Sequence, residues 1–334
     1  MKIVQILPEF HEGGVERHVL WLSNELAAMG HTVVVVSAGG KLEPQLRDAT
    51  HLRLPVHKKN LLTGLSCALR LARYARTNRV DVLHAHSRVP AWIAWWTARL
   101  SGVPFVLTAH DPYRLSAALA PYRRASAVIC VSGAVRSHLV SIFRGESPVI
   151  LNGLHPLTHR WMPSDARGRF LFVGRITERK GLQIAISALA DVSLPWTLDV
   201  VGDGPLRANL EEMARSGGLG DRVTFHGFRD DPDEWMKRCS CFLFPSLSEG
   251  MGLTLMRAVQ MGVPVLASDL PPVRELTAAP ETLLPPGDVP AWRAAIEGFL
   301  SGGDPSSFER DRIPTIGDMA CAVAQVYRRV TGTP

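Results

Sequence analysis

The feature that most constrains the fold is an alternation of short β-branched runs with helical segments along all 334 residues. Such alternation is typical of parallel sheets covered on both faces. The predicted strands are Ile3–Leu7, Thr32–Ser37, Val82–His84, Phe105–Thr108, Ala127–Val131, Val149–Leu151, Arg169–Val173, Leu198–Val201, Val223–Phe225, Cys241–Phe244, Val263–Ala267 and Thr282–Leu284. The predicted helices are Gly14–Met29, Leu61–Thr77, Val89–Leu100, Gly133–Phe143, Gly181–Ala190, Leu206–Arg215, Pro232–Lys237, Leu253–Met261, Val289–Leu300 and Ile316–Val330. The sequence therefore predicts an α/β protein with doubly wound sheets.

The pattern restarts once, which predicts two domains. A first domain covers residues 1–153, a turn-rich linker covers 154–168, and a second domain covers 169–315. Residues 316–334 form a last helix with no strand after it. Because doubly wound sheets bind ligands at the carboxyl ends of their strands, we expect the active site in a cleft between the domains.

Charge is divided unevenly between the halves and narrows the range of partners. Residues 1–157 hold 18 Lys and Arg against 9 Asp and Glu, whereas the remainder holds 19 against 22. The basic half is expected to meet an anion, either a phosphorylated acceptor or an anionic membrane surface. Nucleic acid ranks last and is not predicted as a partner, because no nucleic-acid-binding motif occurs.

Composition also indicates a cellular compartment. No apolar run reaches the roughly 18 to 20 residues that a membrane span needs. The chain enters a predicted strand almost at once, so no secretory signal is expected. The five cysteines have no metal-ligand spacing, and a disulfide framework is not expected. These features predict a cytoplasmic protein.

Two glycine-containing turns occupy corresponding places in the halves. Gly13 and Gly14 follow the first strand, but their spacing is not the G-x-G-x-x-G of a dinucleotide site. Gly174 opens a turn in which Arg175 offers a planar fork for phosphate and Lys180 a point charge before a helix. The paired glycines of the first turn still allow a phosphate to approach closely, and the strand-end position of Arg175 and Lys180 favours a phosphate site at the second. A purely structural turn is the alternative for each.

The segment Phe244–Ser268 combines a strand end, a carboxylate, a glycine turn and a helix start. Glu249 precedes Gly250-Met251-Gly252, and the helix begins at Leu253. Backbone N–H groups at such a turn favour an anion, and the carboxylate is placed to accept hydrogen bonds from hydroxyls. Because a sugar phosphate carries both groups, the segment predicts a site for a phosphorylated sugar.

Histidines stand at the ends of two strands in the first half. His84 and His86 end one strand, and His110 follows the next. A lone histidine is more often structural, but two strand ends facing one cleft favour function, and His110 is the better candidate because a loop exposes it. Metal binding by His84 and His86 would need a carboxylate partner that the sequence does not reveal, so no metal site is predicted.

The segment Leu61–Arg79 carries a row of arginines at a spacing of three, with leucines between them: Arg70, Arg73, Arg76 and Arg79. The nearby segment Ala91–Trp96 is rich in tryptophan. Ordinary amphipathic packing is the first interpretation. A basic face with interfacial aromatics would also suit peripheral docking on an anionic membrane.

Taken together, these motifs resemble the group 1 family of retaining GT-B glycosyltransferases. The resemblance runs along nearly the whole chain, and its order of motifs is specific although each motif is weak. The motifs are Gly13-Gly14, Asp81–His86, Thr108–Asp111, Val131-Ser132, Asn152-Gly153, Val173–Gly181, Val201–Pro205, Val223–Phe228 and Pro245–Ser268. The resemblance implies two Rossmann-like domains facing a central cleft, with the donor bound by the second and the last helix crossing back to the first.

The resemblance also implies transfer from a nucleotide-diphosphate sugar with retention of anomeric configuration, without metal ion or cofactor. Arg175 and Lys180 would hold the diphosphate, Glu249 would accept hydrogen bonds from the sugar, and His110 would contact the sugar from the first domain. The other donor-site candidates are Gly13, Gly14, Gly174, Gly204, Gly227, Gly250, Met251, Gly252, Leu253, Thr254 and Arg257. The weaker acceptor-site candidates are His86, Ser132 and Asn152.

Arg257 departs from the family pattern. Eight residues after the first motif glutamate, relatives carry a second glutamate that receives the ribose hydroxyls, and here Arg257 stands at that position. Arginine donates hydrogen bonds where two acceptors are expected. Arg257 could reach phosphate while another group holds ribose, could pair with a nearby carboxylate and weaken nucleotide binding, or could mark a protein that binds without turnover.

The sequence as a whole favours a retaining glycosyltransferase that acts on a cell-envelope glycan or glycolipid, in the cytoplasm or at the inner face of the membrane. Two alternatives stay open. One is a degenerate, non-catalytic nucleotide-sugar binder, and the other is a sugar-nucleotide 2-epimerase built on the same fold.

Overall fold

The computed structural model describes residues 1–157, 160–162 and 167–332, and its chain divides into two compact units. The first unit comprises Met1–His155 and the segment from Pro314 onward, and the second comprises Pro156–Ile313. Leu154 forms an isolated bridge with Thr315, so Leu154 and His155 of the predicted linker belong to the first unit. Residues 158–159 and 163–166 of that linker lie outside the described residues.

The first unit is built on a parallel six-stranded sheet of order β3-β2-β1-β4-β5-β6. Its strands are β1 (Lys2–Ile6), β2 (Thr32–Ser37), β3 (Ala49–Arg53), β4 (Val82–His86), β5 (Phe105–Ala109) and β6 (Ala127–Cys130). Its first helices are α1 (Gly14–Ala28), α2 (Leu61–Thr77), α3 (Arg88–Ser101) and α4 (Gly133–Leu139). Strand order reverses beside β1, and β4 pairs with the other edge of β1 in the register Gln5 to His84. Side chains at the carboxyl ends of β1, β4 and β5 therefore lie close together.

The second unit repeats this plan with a parallel five-stranded sheet of order β11-β10-β7-β8-β9. Its strands are β7 (Arg169–Val173), β8 (Thr197–Val201), β9 (Val223–Gly227), β10 (Cys241–Phe244) and β11 (Val265–Ala267). Its helices are α5 (Leu182–Ala190), α6 (Arg207–Ser216), α7 (Pro232–Arg238), α8 (Leu253–Met261), α9 (Pro271–Arg274) and α10 (Val289–Leu300). The core includes the fully buried Trp292 of α10, which packs with strand residues such as Phe170 and Leu198.

The last helix, α11 (Ile316–Thr331), belongs to the first unit. A capping box starts it, since the Thr315 hydroxyl accepts from Asp318 N while the Asp318 carboxylate accepts from Thr315 N. Its apolar face joins the cluster that contains α1 and the sheet, and it buries Tyr327 completely. Among the described residues, none of the helices combines the length and the apolar character required to cross a membrane.

The predicted α/β fold with two doubly wound sheets is confirmed, and some of its details were wrong. Val149–Leu151 is not a strand: Val149 makes only a bridge to Cys130, because Pro148 lacks the N–H that a ladder needs. Thr282–Leu284 likewise makes a single bridge, between Leu284 and Ser268, and prolines at 285 and 286 follow it. Strand β3 was missed because, as a half-exposed edge strand, it needs no apolar run.

The predicted helix Gly133–Phe143 ends at Leu139. The other predicted helices and strands are present, with ends that differ by no more than a few residues.

Candidate active site

The turns after β7 and β8 bring backbone against backbone at the carboxyl end of the second sheet. Gly202 has φ +144°, and a Cβ there would lie 1.9 Å from the carbonyl oxygen of Gly174. The Ile176 N–H donates to Asp203 O at 2.9 Å, which fixes the two turns together. Only glycine fits at position 202. Gly174 and Gly204 belong to the same two turns, whose close contact supports the backbone of Arg175.

Lys180 and Glu249 meet at the same sheet end. Lys180 closes a short 3₁₀ segment before α5, and its Nζ lies 2.5 Å from Glu249 Oε1. The Ser246 hydroxyl donates to the same oxygen at 2.8 Å. Glu249 is only 6% exposed, so its carboxylate is held by two donors in a largely dry position. The structure brings these two predicted residues together as an ion pair.

The loop that carries Glu249 is fastened to the turn that carries Lys180. Leu247 N donates to Arg179 O and Arg179 Nε donates to Ser248 O, both at 2.8 Å. Gly181 has φ +69°, and a Cβ there would lie 1.8 Å from Pro245 O, so the two segments approach as closely as a glycine allows. The ion pair is therefore set by backbone contacts as well as by charge.

Arg175 and the start of α8 supply further groups for an anion. Arg175 is exposed, and its guanidinium makes no ion pair or hydrogen bond within the described part of the chain. Gly252, with φ +87°, is the N-cap of α8 and offers no side-chain cap to the first-turn N–H groups, which begin at Leu253 and Thr254. Gly250 and Met251 are buried and lead into this turn. Uncapped N–H groups at a helix start favour negative charge.

Arg257 lies on α8 and pairs with a carboxylate. Its Nε donates to both oxygens of Asp233 at 2.9 and 3.1 Å, and its Nη2 also donates to Asp233. Its Nη1 donates to Gln260 Oε1 at 2.6 Å. Of the three interpretations from the sequence, pairing with a nearby carboxylate is the arrangement found. Asp233, in the first turn of α7, was not identified from sequence because 24 residues separate the partners.

The remaining predicted donor-site glycines lie at separate places. Gly227 ends β9 with φ +69°, and its loop precedes α7. Gly13 is the N-cap of α1 in the first unit, and Gly14 begins that helix. The side chain of Glu16 closes over Gly13, where an added Cβ would lie 2.2 Å from Glu16 Oε2.

The first unit brings four histidines together at the carboxyl ends of β4 and β5. His86 Nδ1 lies 3.0 Å from His110 Nε2, and His86 Nε2 lies 2.8 Å from Gln5 Oε1. His84 binds Tyr327 Oη at 2.6 Å and Thr108 Oγ1 at 2.7 Å. His18 of α1 completes the group, with its ring centre 4.8 Å from that of His110. The sequence analysis missed His18, whose helical position carries no sign of this contact.

Burial keeps these imidazoles neutral. Desolvation lowers the pKa of His18 to about 4, although the nearby Asn152 side chain offsets part of the effect. Burial lowers the pKa of His84, His86 and His110 well below the usual range, and repulsion from the neighbouring rings adds to it. At neutral pH the predicted residue His110 therefore offers a neutral donor and acceptor, suited to a hydroxyl rather than to a phosphate.

The weaker acceptor-site candidates have mixed surroundings. The Ser132 hydroxyl accepts from Val135 N at 3.1 Å and caps α4, which is a structural role. Asn152 is buried beside His18. His86 is buried completely, and its two ring nitrogens contact His110 and Gln5.

Comparison with known proteins places both units in one family. The model for Glycosyl transferases group 1 matches residues 167–302, and the model for Glycosyltransferase Family 4 matches residues 12–156. The O-antigen biosynthesis glycosyltransferase WclY of Escherichia coli is 36% identical over 101 residues, which are 30% of this chain and 28% of that relative. The chain thus aligns with under a third of that relative's length.

Two other similarities extend over nearly the whole chain. The phosphatidyl-myo-inositol mannosyltransferase of Mycobacterium leprae is 27% identical and aligns over 90% of this chain and 87% of its own. The crystal structure of Anabaena HepE in complex with UDP-glucose has a TM-score of 0.79 at 21% identity and covers 100% of this chain and 99% of its own. Fold, motif order and both family models agree: the chain belongs to the group 1 family of GT-B glycosyltransferases.

Proposed function

We propose that the chain is a retaining glycosyltransferase that moves a sugar from a nucleotide-diphosphate sugar to a cell-envelope glycan or glycolipid. The observation that carries the proposal is the grouping of Lys180, Glu249 and the uncapped start of α8 at one sheet end. A cation, a hydroxyl acceptor and oriented N–H groups are what a sugar joined to a diphosphate requires. The UDP-glucose complex of HepE supports this donor class.

In the proposed mechanism, Arg175 and Lys180 bind the diphosphate and offset the charge that develops as the glycosidic bond to phosphate breaks. Lys180 exchanges Glu249 for a phosphate oxygen, and the Glu249 carboxylate then accepts hydrogen bonds from sugar hydroxyls. His110, as a neutral imidazole, hydrogen-bonds the donor sugar. The acceptor hydroxyl forms its bond to the anomeric carbon on the face from which the diphosphate leaves, and its proton passes to an oxygen of that leaving phosphate. The configuration is therefore retained, and no protein nucleophile is required.

Metal independence is part of the proposal, because the two cations and the α8 N–H groups take the electrostatic role that a metal ion has elsewhere. Protein treated with EDTA and freed of the chelate by gel filtration is expected to keep its full rate of transfer. NMR of the product is expected to give the anomeric configuration of the donor. A lost rate that Mg²⁺ restores would contradict the first expectation, and an inverted product would contradict the second.

Incubation with a panel of nucleotide sugars, with and without a crude acceptor extract, separates the proposed activity from the two alternatives. A glycosyltransferase forms a new glycoside and releases the nucleoside diphosphate. A 2-epimerase would convert its donor without acceptor, and a degenerate binder would give a calorimetric signal without any product.

The acceptor is proposed from the relatives and from one surface of the first unit. WclY is named for O-antigen biosynthesis, and the mycobacterial relative is named for a phosphatidyl-inositol acceptor. Both names fit a cell-envelope acceptor. The five free cysteines fit a reducing cytoplasm, and we place the activity there, at the inner face of the membrane.

The α2 surface is the feature that favours membrane contact. Leu61, Leu62 and Leu69 are 63%, 82% and 60% exposed on this helix. The cations beside them are also exposed: Lys58, Lys59, Arg70, Arg73, Arg76 and Arg79. Exposed leucines flanked by cations suit an anionic lipid surface, in which the leucines insert and the cations meet head groups.

Flotation with vesicles that contain anionic phospholipid tests this surface. The chain is expected to float at low salt and less at high salt. The double variant Arg70→Ala/Arg73→Ala should lower the partition coefficient onto the vesicles about 30-fold, because each cation near the surface contributes about 1 kcal/mol. Leu62→Asp should also lower it, whereas Leu194→Asp, at an exposed leucine of the second unit, should not. Equal flotation of all variants, or none by the parent protein, would contradict membrane docking through α2.

A further inference from the structure

Three of the four clustered histidines of the first unit form a compact set of potential metal ligands. His18 comes from α1, His86 ends β4 and His110 directly follows β5. One ring nitrogen from each lies within 4.8 Å of the other two, and the shortest separation is the 3.0 Å between His86 Nδ1 and His110 Nε2. A zinc ion with bonds of 2.0–2.1 Å needs nitrogens about 3.4 Å apart, so small side-chain rotations reach this geometry.

His18 supplies a second, independent observation. It is 4% exposed, and neither of its ring nitrogens has a hydrogen-bond partner of acceptable geometry among the described residues. Asn152 lies near enough to raise the pKa of His18, yet its Oδ1 also lacks a partner in that part of the chain. Buried polar atoms without partners are costly, and here they cluster beside the other two rings.

The surroundings of His86 resemble an outer shell around a metal ligand. Gln5 Oε1 lies 2.8 Å from His86 Nε2, and the Gln5 amide is itself oriented by Nε2 donating to Tyr327 Oη at 3.1 Å. Such a hydrogen bond on one ring nitrogen directs the lone pair of the other nitrogen toward a metal. His84 is excluded as a ligand because Tyr327 and Thr108 engage both of its nitrogens.

We propose that His18, His86 and His110 bind one Zn²⁺ or similar transition-metal ion, with a fourth coordination position open. Three neutral imidazoles with an open position form an established type of zinc site and need no carboxylate. From the sequence, metal binding by His84 and His86 lacked a further ligand. In the structure His18 and His110 supply two further ligands for His86, so a carboxylate is not needed.

A metal ion bound at these three histidines would affect sugar transfer, an inference that rests on the proposed function. A metal bound by His110 Nε2 would hold the ring on the ion and take away its freedom to turn toward the donor sugar that His110 is proposed to hydrogen-bond. The ion would therefore inhibit transfer rather than support it, which is compatible with the activity expected after chelator treatment.

Zinc binding is measured directly on the full chain, after metal removal, by competition with a chromophoric chelator. The expected result is one Zn²⁺ per chain. His18→Leu places an apolar side chain at this buried position of α1 and should bind zinc at least about 100-fold more weakly. Gln5→Met, which changes only the outer shell, should lower zinc affinity about 10–100-fold. His138→Ala, at an exposed histidine outside the cluster, should bind like the parent protein.

Circular dichroism and thermal unfolding of the metal-free variants check that they are folded. If His18→Leu does not fold, His110→Ala, at a less buried position, takes its place in the comparison. No zinc bound by the folded parent protein, or parent-like affinity in the folded histidine variants, would overturn the proposal. Zinc binding without inhibition of transfer would support the site and contradict the role given to His110.

Discussion

Replacing Lys180 with methionine is expected to lower the rate of sugar transfer about 10²–10³-fold, the usual effect of removing one group that stabilises charge in the transition state. Methionine keeps most of the apolar stem of the lysine and removes the ammonium group. We expect the loss in kcat rather than in KM, because the charge on the leaving diphosphate is largest in the transition state. Glu249→Gln should also lose activity, since an amide replaces the carboxylate that is proposed to accept hydrogen bonds from sugar hydroxyls.

The same substitution affects stability, and this must be separated from catalysis. Lys180→Met leaves the largely buried Glu249 carboxylate with the Ser246 hydroxyl as its remaining partner at Oε1. An underpaired buried group costs about 1–3 kcal/mol of unfolding free energy. Lys180→Met/Glu249→Gln removes the unpaired charge, so it should regain much of that stability and none of the activity.

The chain offers a matched control for Lys180. Lys237 belongs to the same unit, has a similarly exposed side chain, 23% against 27%, and forms an ion pair with Glu234. Lys237→Met should therefore leave transfer unchanged. Steady-state kinetics and denaturant unfolding of all four variants decide the matter. Parent-like turnover by a folded Lys180→Met or Glu249→Gln variant would be incompatible with the mechanism.

The order of elements could be predicted because the apolar runs that specify buried strands are local. Val33 to Val36 are buried on both faces of β2, so the run sets the strand without help from the rest of the chain. β3 could not be found in this way, since its pattern is set by pairing with β2 at the sheet edge. The restart of the pattern gave the two domains, and the resemblance added the assignment of the donor to the second of them.

The candidate site was predictable as a set of residues and less so as a set of contacts. Glu249 and Lys180 were each found from local motifs, but their ion pair joins residues 69 apart and depends on the docking of two loops. The contact between Gln5 and Tyr327 joins residues 322 apart, because α11 returns to the first unit. No local pattern encodes such a distance, and the same is true of His18 and of Asp233.

Arg257→Ala is expected to lower stability and to leave nucleotide affinity nearly unchanged. The three guanidinium nitrogens donate to Asp233 and Gln260, so the side chain is engaged within the second unit. A partly buried, charge-assisted contact of this kind contributes about 1.5–3 kcal/mol. Asp233→Ala should cost a similar amount, and the double variant should cost less than the two single changes together, with a coupling of about 0.5–3 kcal/mol.

Calorimetry with nucleoside diphosphates then decides between the interpretations of Arg257. Arg175→Ala serves as the comparison, because the exposed Arg175 guanidinium is proposed to bind the diphosphate, and its loss should weaken binding strongly. A comparable loss in Arg257→Ala would mean that this arginine leaves Asp233 to contact the nucleotide. Unchanged affinity would assign it to the α7–α8 contact, and the ribose would then be held by groups other than the residue at 257. Arg257→Glu alone cannot make this distinction, because it places a second carboxylate against Asp233 and adds repulsion.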